Sequence, residues 1–356
     1  MKSRGVLRVI ECSGGDYQIG RQYGEAARED LHRNVAFLFA SMARLPHEAR
    51  RGSVLEASRR YLDGARALDP GALERVRGMA DGAGISFDEA FALQCFSELF
   101  VNYAGLAGMC TSLALSGAAT RDGTTLLGQN LDWHPGSVVN LVRIRRADGV
   151  RVLGIVLNGY GAVYLTSDGV GNCANMTLCP PAPVKGHVPF AIYLYAAMRG
   201  RSAAEAMDVL RRTARGVGYV HVADGAGAMM GIESVYDDHA LVEPEDGVLV
   251  HANHYETGRY RELDGAPVHI PDSFHRADRL RALIAAAHGS ITPETVKALL
   301  SDHAGRPHSV CAHVEPSEHA TVPTGSIASV VMIPAEGRML VAAGTPCDHE
   351  YVEYRV

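Results

Sequence analysis

The stretch that most restricts the fold runs from Cys110 to Trp133. Residues 111–117 are small, β-branched or apolar. Arg121-Asp122-Gly123-Thr124 supplies a turn with Asp-Gly at its core, and residues 124–127 read as the returning strand. Such a hairpin fits a fold built on an antiparallel sheet. It also carries Gly128-Gln129-Asn130-Leu131-Asp132-Trp133 back towards the start of the first strand. The carboxylate of Asp132 and the amide of Asn130 are thereby expected near Cys110, although they lie some twenty residues away in sequence.

The flanking chain divides at this hairpin. Before it the pattern is mostly helical. Apolar residues Ile19, Tyr23, Ala27, Leu31, Val35 and Leu38 recur at three- and four-residue spacing, predicting one helix over 16–43. Ser53 with Glu56 predicts a capping box for a helix to residue 68, and Asp69-Pro70 opens another. Ser86 with Glu89 caps a fourth, running through Leu99. After the hairpin, strands are expected at 138–145, 151–158, 161–166, 217–223, 227–235, 248–252, 326–333 and 338–343. Helices are expected at 190–199, 202–214, 276–287 and 293–302. Cys179-Pro180-Pro181-Ala182-Pro183 reads as a rigid loop. Helices set between alternating strands predict a layered α+β fold.

With 356 residues, 47% hydrophobic, the chain has ample material for a large core. Its formal charge of −6 gives no nucleic-acid footprint, and no apolar run approaches membrane-spanning length. Residues 1–8 are basic but lack a sustained apolar region, so no secretory signal is expected. Seven irregularly spaced cysteines favour free thiols in a reducing cytoplasm.

A thiol attacks as thiolate and needs a base close by. If the chain cut itself between Met109 and Cys110, the freed α-amine would be that base, with a pKa of roughly 7.7–8.0. Cys110-Thr111-Ser112, the Asp-Gly turn and Gly128-Gln129-Asn130-x-Asp132-Trp133 resemble the nucleophile region of the acyl-CoA:6-aminopenicillanic acid acyltransferase family, C45-type N-terminal-nucleophile (Ntn) hydrolases. The resemblance continues in residues 77–84, in Asn172-Cys173-Ala174-Asn175, in His251-Ala252-Asn253-His254, in 326–332 and in 344–347. It implies a four-layer αββα sandwich with a mostly helical N-terminal segment. It also implies cleavage into 1–109 and 110–356, which stay associated as one domain. Gln129 stands where related amide hydrolases usually have Arg, which draws the likeness towards the acyltransferase branch. Met109 stands where the family often has Gly, whose backbone tolerates more strain. Some relatives carry an arginine in the C-terminal strand; Ser326-Ile327-Ala328-Ser329 has none.

The resemblance makes Cys110 the nucleophile and Asp132 the holder of its new amine. Asn253 and Asn175 become donors to a developing oxyanion, where neutral amides suit the need. Ser112 is a candidate partner of the scissile carbonyl or a plain strand serine, and Asn130 is expected to brace its loop. The plain reading of any such Asn is a turn residue. His303, His308, Cys311, His313 and His319 fall close together, with Cys347-x-His349 beyond. Cys311-x-His313 is tighter than the usual zinc pair, so no metal is expected. No Gly-rich phosphate loop occurs and no cofactor is expected, since Gly169-x-Gly171 lacks a third glycine. Two functions stay open. One is a cysteine amidase, with acyl-CoA-dependent transfer as its variant, acting on a small-molecule amide or acyl donor. The other is a non-catalytic scaffold keeping the fold.

Overall fold

A computed structural model describes residues 2–43, 50–104, 109–180, 187–213, 217–314 and 324–356. The chain opens with strand β1 (Val9–Gly14) and helices α1 (Asp16–Ala26), α2 (Arg28–Met42), α3 (Arg51–Arg59), α4 (Leu62–Leu68), α5 (Pro70–Ala83), α6 (Phe87–Gln94) and α7 (Phe96–Ala104). The hairpin follows as β2 (Met109–Gly117) and β3 (Gly123–Trp133). Next come β4 (Val139–Arg146), β5 (Arg151–Leu157), β6 (Tyr160–Thr166), β7 (Val170–Asn175), α8 (Phe190–Ala197) and α9 (Ala203–Thr213). Strands β8 (Val217–Asp224), β9 (Met229–Val235), β10 (Asp238–Val242) and β11 (Val248–His251) lead to α10 (Ala266–His269), α11 (Asp272–Ala287) and α12 (Pro293–Leu300). Strands β12 (Gly325–Ile333), β13 (Arg338–Ala342) and β14 (Val352–Arg355) end the chain.

The strands form two sheets, one ordered β1-β4-β5-β6-β7-β8-β9-β10 and the other β11-β2-β3-β12-β13-β14. Only the β1–β4 pairing is parallel among the named pairs. The sheets face each other through β2 and β3 against β7 and β8. Helices α1, α8 and α9 lie against the larger sheet, and α11 and α12 against the smaller one. The order is αββα, as the resemblance implies. Two apolar clusters follow from it. One fills the space between the sheets and under the N-terminal helices. The other joins Leu113, Leu115, Leu126 and Val331 to Ala277, Leu280, Val296 and Leu300 of α11 and α12. The hairpin pair β2–β3 thus lies in the interior of the sandwich. No helix among the described residues is long and apolar enough to cross a membrane.

Most local signals hold. The Asp69 carboxylate accepts from the Ala72 N–H at 3.2 Å, and Ser86 and Glu89 form the reciprocal capping box. The Asp122 carboxylate accepts from Thr124 N–H, and Gly123 supplies the positive φ of +77° at the hairpin turn. The 16–43 helix is in fact two, broken at Ala27 (φ −104°, ψ 20°), because α1 lies along α5 while α2 spreads its contacts over α5, α6 and α7. One non-helical residue leaves the apolar spacing intact, so periodicity cannot show the break. The α1–α5 contact itself needs glycine: a Cβ on Gly20 would lie 1.9 Å from the Arg75 carbonyl oxygen, and one on Gly78 2.0 Å from that of Tyr17. The Ser53–Glu56 box does not form; α3 begins after Arg50 and stops at Arg59. Strands β7, β10 and β14 and helix α10 were not expected, and α11 starts one turn before residue 276. The 179–183 loop falls largely outside the described residues.

Candidate active site

Register fixes the centre. Met109 pairs with Asp132, Cys110 with Leu131, Thr111 with Asn130 and Ser112 with Gln129. Side chains alternate along a strand, so Cys110, Ser112 and Gln129 share one face, and Thr111, Asn130 and Asp132 the other. Hydrogen bonds identify the faces. Ser112 Oγ donates to Asn175 Oδ1 of β7 at 2.6 Å, and Gln129 brackets Ala174 of β7 through both its amide atoms. The Cys110 face therefore looks into the gap between the sheets. On the opposite face Arg276 of α11 reaches Thr111, and Asn130 Nδ2 donates to the Leu300 and Val310 carbonyls at 2.8 and 2.9 Å.

Cys110 turns its backbone towards the β11 side. Its N–H donates to Asn253 Oδ1 at 2.9 Å, and its carbonyl accepts from Arg276 Nη1 at 2.7 Å. Alternation along β2 turns the Met109 backbone the other way, against the Asp132 end of β3. Asn253 has a fixed orientation. Arg276 Nη2, which can only donate, lies 2.8 Å from its Oδ1, and its Nδ2 donates to the Met176 carbonyl at 2.9 Å. The amide expected to face an oxyanion thus offers its oxygen to the Cys110 nitrogen. Asn175 is placed beside Ser112, with Nδ2 directed at the His251 carbonyl at 3.4 Å.

Arg276 is the residue the sequence did not reveal. It is 1% exposed and completes its set by donating from Nε to Asp272 Oδ2 at 2.8 Å. The signal was present as Asp272-x-x-x-Arg276, an i,i+4 ion pair in the first turn of a helix. Starting the helix at 276 hid it. Gln129 was read only as a branch marker, yet its side chain lies against the Cys110 sulfur.

Electrostatics make the intact centre quiet. Burial pushes the Cys110 thiol up to about 12, and the Asp132 charge adds to that. The Asp132 backbone N–H, Arg276 and Gln129 pull the other way. Burial also raises Asp132 to about 7, against Arg276 and the Ser326 hydroxyl, which favour its anion. Asp132 Oδ1 accepts from Ser326 Oγ at 2.6 Å, whereas Oδ2 is buried with no hydrogen-bond partner among the described residues. Of the expected residues, Cys110, Asn253 and Asp132 meet around the Met109–Cys110 peptide, and Ser112 and Asn175 form a pair one step along β2. Asn130 lies within β3 rather than in a loop, and it braces the segment after α12 through the Leu300 and Val310 carbonyls. A groove of about 410 Å³ is lined in part by Ser326. The cavity beneath α1 and α5, lined by Tyr23, Arg75 and Tyr164, does not include Cys110.

Similar solved structures include a mutant of conjugated bile acid hydrolase from Clostridium perfringens. It is 14% identical, with a TM-score of 0.45 over 70% of this chain and 97% of that one. Penicillin V acylase from Agrobacterium tumefaciens is 11% identical, with a TM-score of 0.45 over 66% and 83% of the two chains. Neither carries a residue's role over to this chain. The family model of acyl-coenzyme A:6-aminopenicillanic acid acyl-transferase matches residues 195–347, a stretch that holds Asn253 and Arg276. The family that residues 110–133 resemble and the family matched over 195–347 are one and the same.

Proposed function

We propose that this chain is a self-processing N-terminal-cysteine amidohydrolase. It cuts itself between Met109 and Cys110 and then hydrolyses a small N-acyl or aminoacyl amide through an acyl-thioester on Cys110. The observation that carries this reading is the Cys110 nitrogen, 2.9 Å from Asn253 Oδ1, with Arg276 holding that oxygen in place. Once the peptide is cut, this nitrogen becomes an α-amine beside its own thiol, with a holder already built. In the intact chain the thiol, at about 12, stays protonated. The freed amine, near 7.7–8.0 in an unperturbed chain, accepts the thiol proton. The sulfur attacks the amide carbonyl, the leaving amine takes that proton, and water releases the acid from the thioester. Asp132, whose Oδ2 has no hydrogen-bond partner among the described residues, is the counter-charge for the new ammonium.

Segments 1–109 and 110–356 remain associated in this reading, since α1 to α7 share the inter-sheet core with β2 and β3. Cys110, Asp132, Asn253, Asn175 and Ser112 are its site residues, joined by Arg276 and Gln129. None of the seven cysteines forms a disulfide, which favours a reducing compartment such as the cytoplasm. The match to the acyl-coenzyme A:6-aminopenicillanic acid acyl-transferase family favours one second reading, acyl-CoA-dependent N-acyl transfer through the same thioester.

Intact-mass analysis of purified protein tests the proposal. Two chains with Cys110 as a new N-terminus are expected, and active protein with Met1 as its sole N-terminus would overturn it. Incubation with a reactive acyl thioester, with and without excess amine, then separates hydrolysis from transfer. Dominant amide product with acyl-CoA as the best donor would replace the hydrolase reading by the transferase one.

A further inference from the structure

The four side chains that spacing alone argued against converge in space. His303 follows α12, Cys311 and His313 lie on the next loop, and Cys347 sits between β13 and β14. One donor atom from each lies within 4.8 Å of all the others. His303 Nε2 is 3.0 Å from His313 Nε2, which is 3.7 Å from Cys311 Sγ and 3.3 Å from Cys347 Sγ. Four donors around a tetrahedral zinc ion sit about 3.3 Å apart for two nitrogens and about 3.5 Å apart for nitrogen and sulfur, given ordinary Zn–N and Zn–S lengths. The three separations from His313 Nε2 lie within about 0.3 Å of that set, and the remaining pairs fall within 4.8 Å. His308 is exposed, and His349 turns Nδ1 to the Thr345 carbonyl at 3.0 Å. His319 falls outside the described residues.

We infer that His303, Cys311, His313 and Cys347 form a closed tetrahedral site for a divalent transition metal, zinc by donor set. Two thiolates with two imidazoles suit a borderline-soft d¹⁰ ion, and four protein ligands leave no open position for chemistry. The role is structural. The backbone N–H of Cys347 is directed at the Cys311 sulfur, as expected of a shell that supports thiolate. The ligand loops are also tied in: Cys311 N–H donates to the Asp302 carbonyl at 3.0 Å, and the Asp302 carboxylate pairs with Arg279 of α11 at 2.8 Å. The site stands directly behind the candidate active centre. Ala312, between two ligands, donates its N–H to Ser326 Oγ at 3.1 Å, and that hydroxyl holds Asp132. Metal here would clamp the loop after α12 to the C-terminal segment and so fix the back wall of Asp132.

Binding releases a proton from each thiol to solvent and needs no oxidant. The test uses the full chain without a histidine tag, expressed with zinc supplied and purified without chelator. Elemental analysis should find about one zinc per chain, and Cys311→Ser/Cys347→Ser should bring it near zero. Because His303 is exposed, His303→Ala should keep the fold, judged by circular dichroism, while weakening zinc affinity by more than about 100-fold. Cobalt exchanged into the wild-type protein should give intense visible bands with thiolate-to-metal charge transfer. Protein free of stoichiometric metal, a cobalt spectrum without thiolate charge transfer, or a Cys311–Cys347 disulfide in freshly purified protein would each overturn the inference. None of these readouts involves turnover at Cys110, so they stand apart from the amidase reading.

Discussion

Two groups of cysteines in this molecule are treated in opposite ways. At Cys110 one thiol is sealed at the start of an interior strand, with an arginine, a carboxylate and two amides around it. At Cys311 and Cys347 two thiols converge with two imidazoles. The first set holds charge and hydrogen-bond donors around a single sulfur, which suits covalent chemistry once a base appears. The second offers four soft or borderline donors at coordination distance, which suits a cation. Cysteine identity alone therefore says little; the partners that the fold supplies decide the role.

Removing the first thiol gives the largest expected effect. Cys110→Ala should leave one uncut chain with acyl turnover down by about 10⁴-fold or more. The comparison predicts that the same variant still carries about one zinc per chain, read by elemental analysis. Loss of the metal along with cleavage would mean that the two regions are one site.

Arg276→Met comes next. Arg276 is fully buried and holds Asp272, Asn253, Thr111 and the Cys110 carbonyl together. Breaking a buried ion pair by removing one partner costs about 3–5 kcal/mol. Urea unfolding should show a loss of that size, and intact mass should show slowed cutting, because Asn253 loses the donor that fixes its oxygen. A stability change below about 1 kcal/mol would show that the ion pair of Arg276 with Asp272 contributes no more than an exposed one does.

These two predictions mark where sequence reading stopped. The hairpin was legible because turn chemistry and strand pattern act between neighbours: Asp122-Gly123 set the turn, and the turn set the register that joins Met109 to Asp132. Caps at Asp69 and Ser86 were legible for the same reason. Arg276 and the four-ligand cluster depend on how separate segments meet. Cys311 and Cys347 are far apart in the chain, and the tight Cys311-x-His313 step argues against a site until the other two ligands arrive from elsewhere. Asn253 was expected to aim its amide at an oxyanion, but which of its amide atoms faces Cys110 is decided by Arg276 and by the Met176 carbonyl. Nothing local could show that.

Asp132 gives a smaller, pH-dependent effect. Its carboxyl is raised from the ordinary 3.8 to about 7. Below about pH 4 both folded and unfolded chains hold the proton, and the stabilising contribution is complete. As pH rises towards 7 the unfolded chain releases the proton while the folded chain keeps it, so stability falls, by at most about 4 kcal/mol in total. Asp132→Asn removes this slope. Urea midpoints at pH 5 and pH 8 should therefore differ more for an uncut wild-type background, Cys110→Ala, than for the same chain with Asp132→Asn. Glu98, also raised to about 7 by burial, contributes equally to both and cancels. Equal slopes would show that Asp132 is ionised throughout.

The smallest effect tests whether the two regions communicate. Asn130 stands between them. Its Nδ2 donates to the Leu300 and Val310 carbonyls, and its Oδ1 accepts from Ser329 Oγ at 2.6 Å. Val310 adjoins the ligand Cys311, and Asn130 lies opposite Thr111 in the hairpin. Asn130→Ala leaves two buried carbonyls without a donor, at a cost of about 1–3 kcal/mol in urea unfolding. If the bracing of the loop is what pre-positions Cys311, zinc affinity should also fall, by about 10-fold, a size typical of losing support behind a ligand. Combining Asn130→Ala with His303→Ala then separates two pictures. Changes in metal affinity that simply add describe two independent props of one loop, whereas a combined loss smaller than the sum means that Asn130 acts on the metal through the same ordering of residues 302–313 that His303 provides.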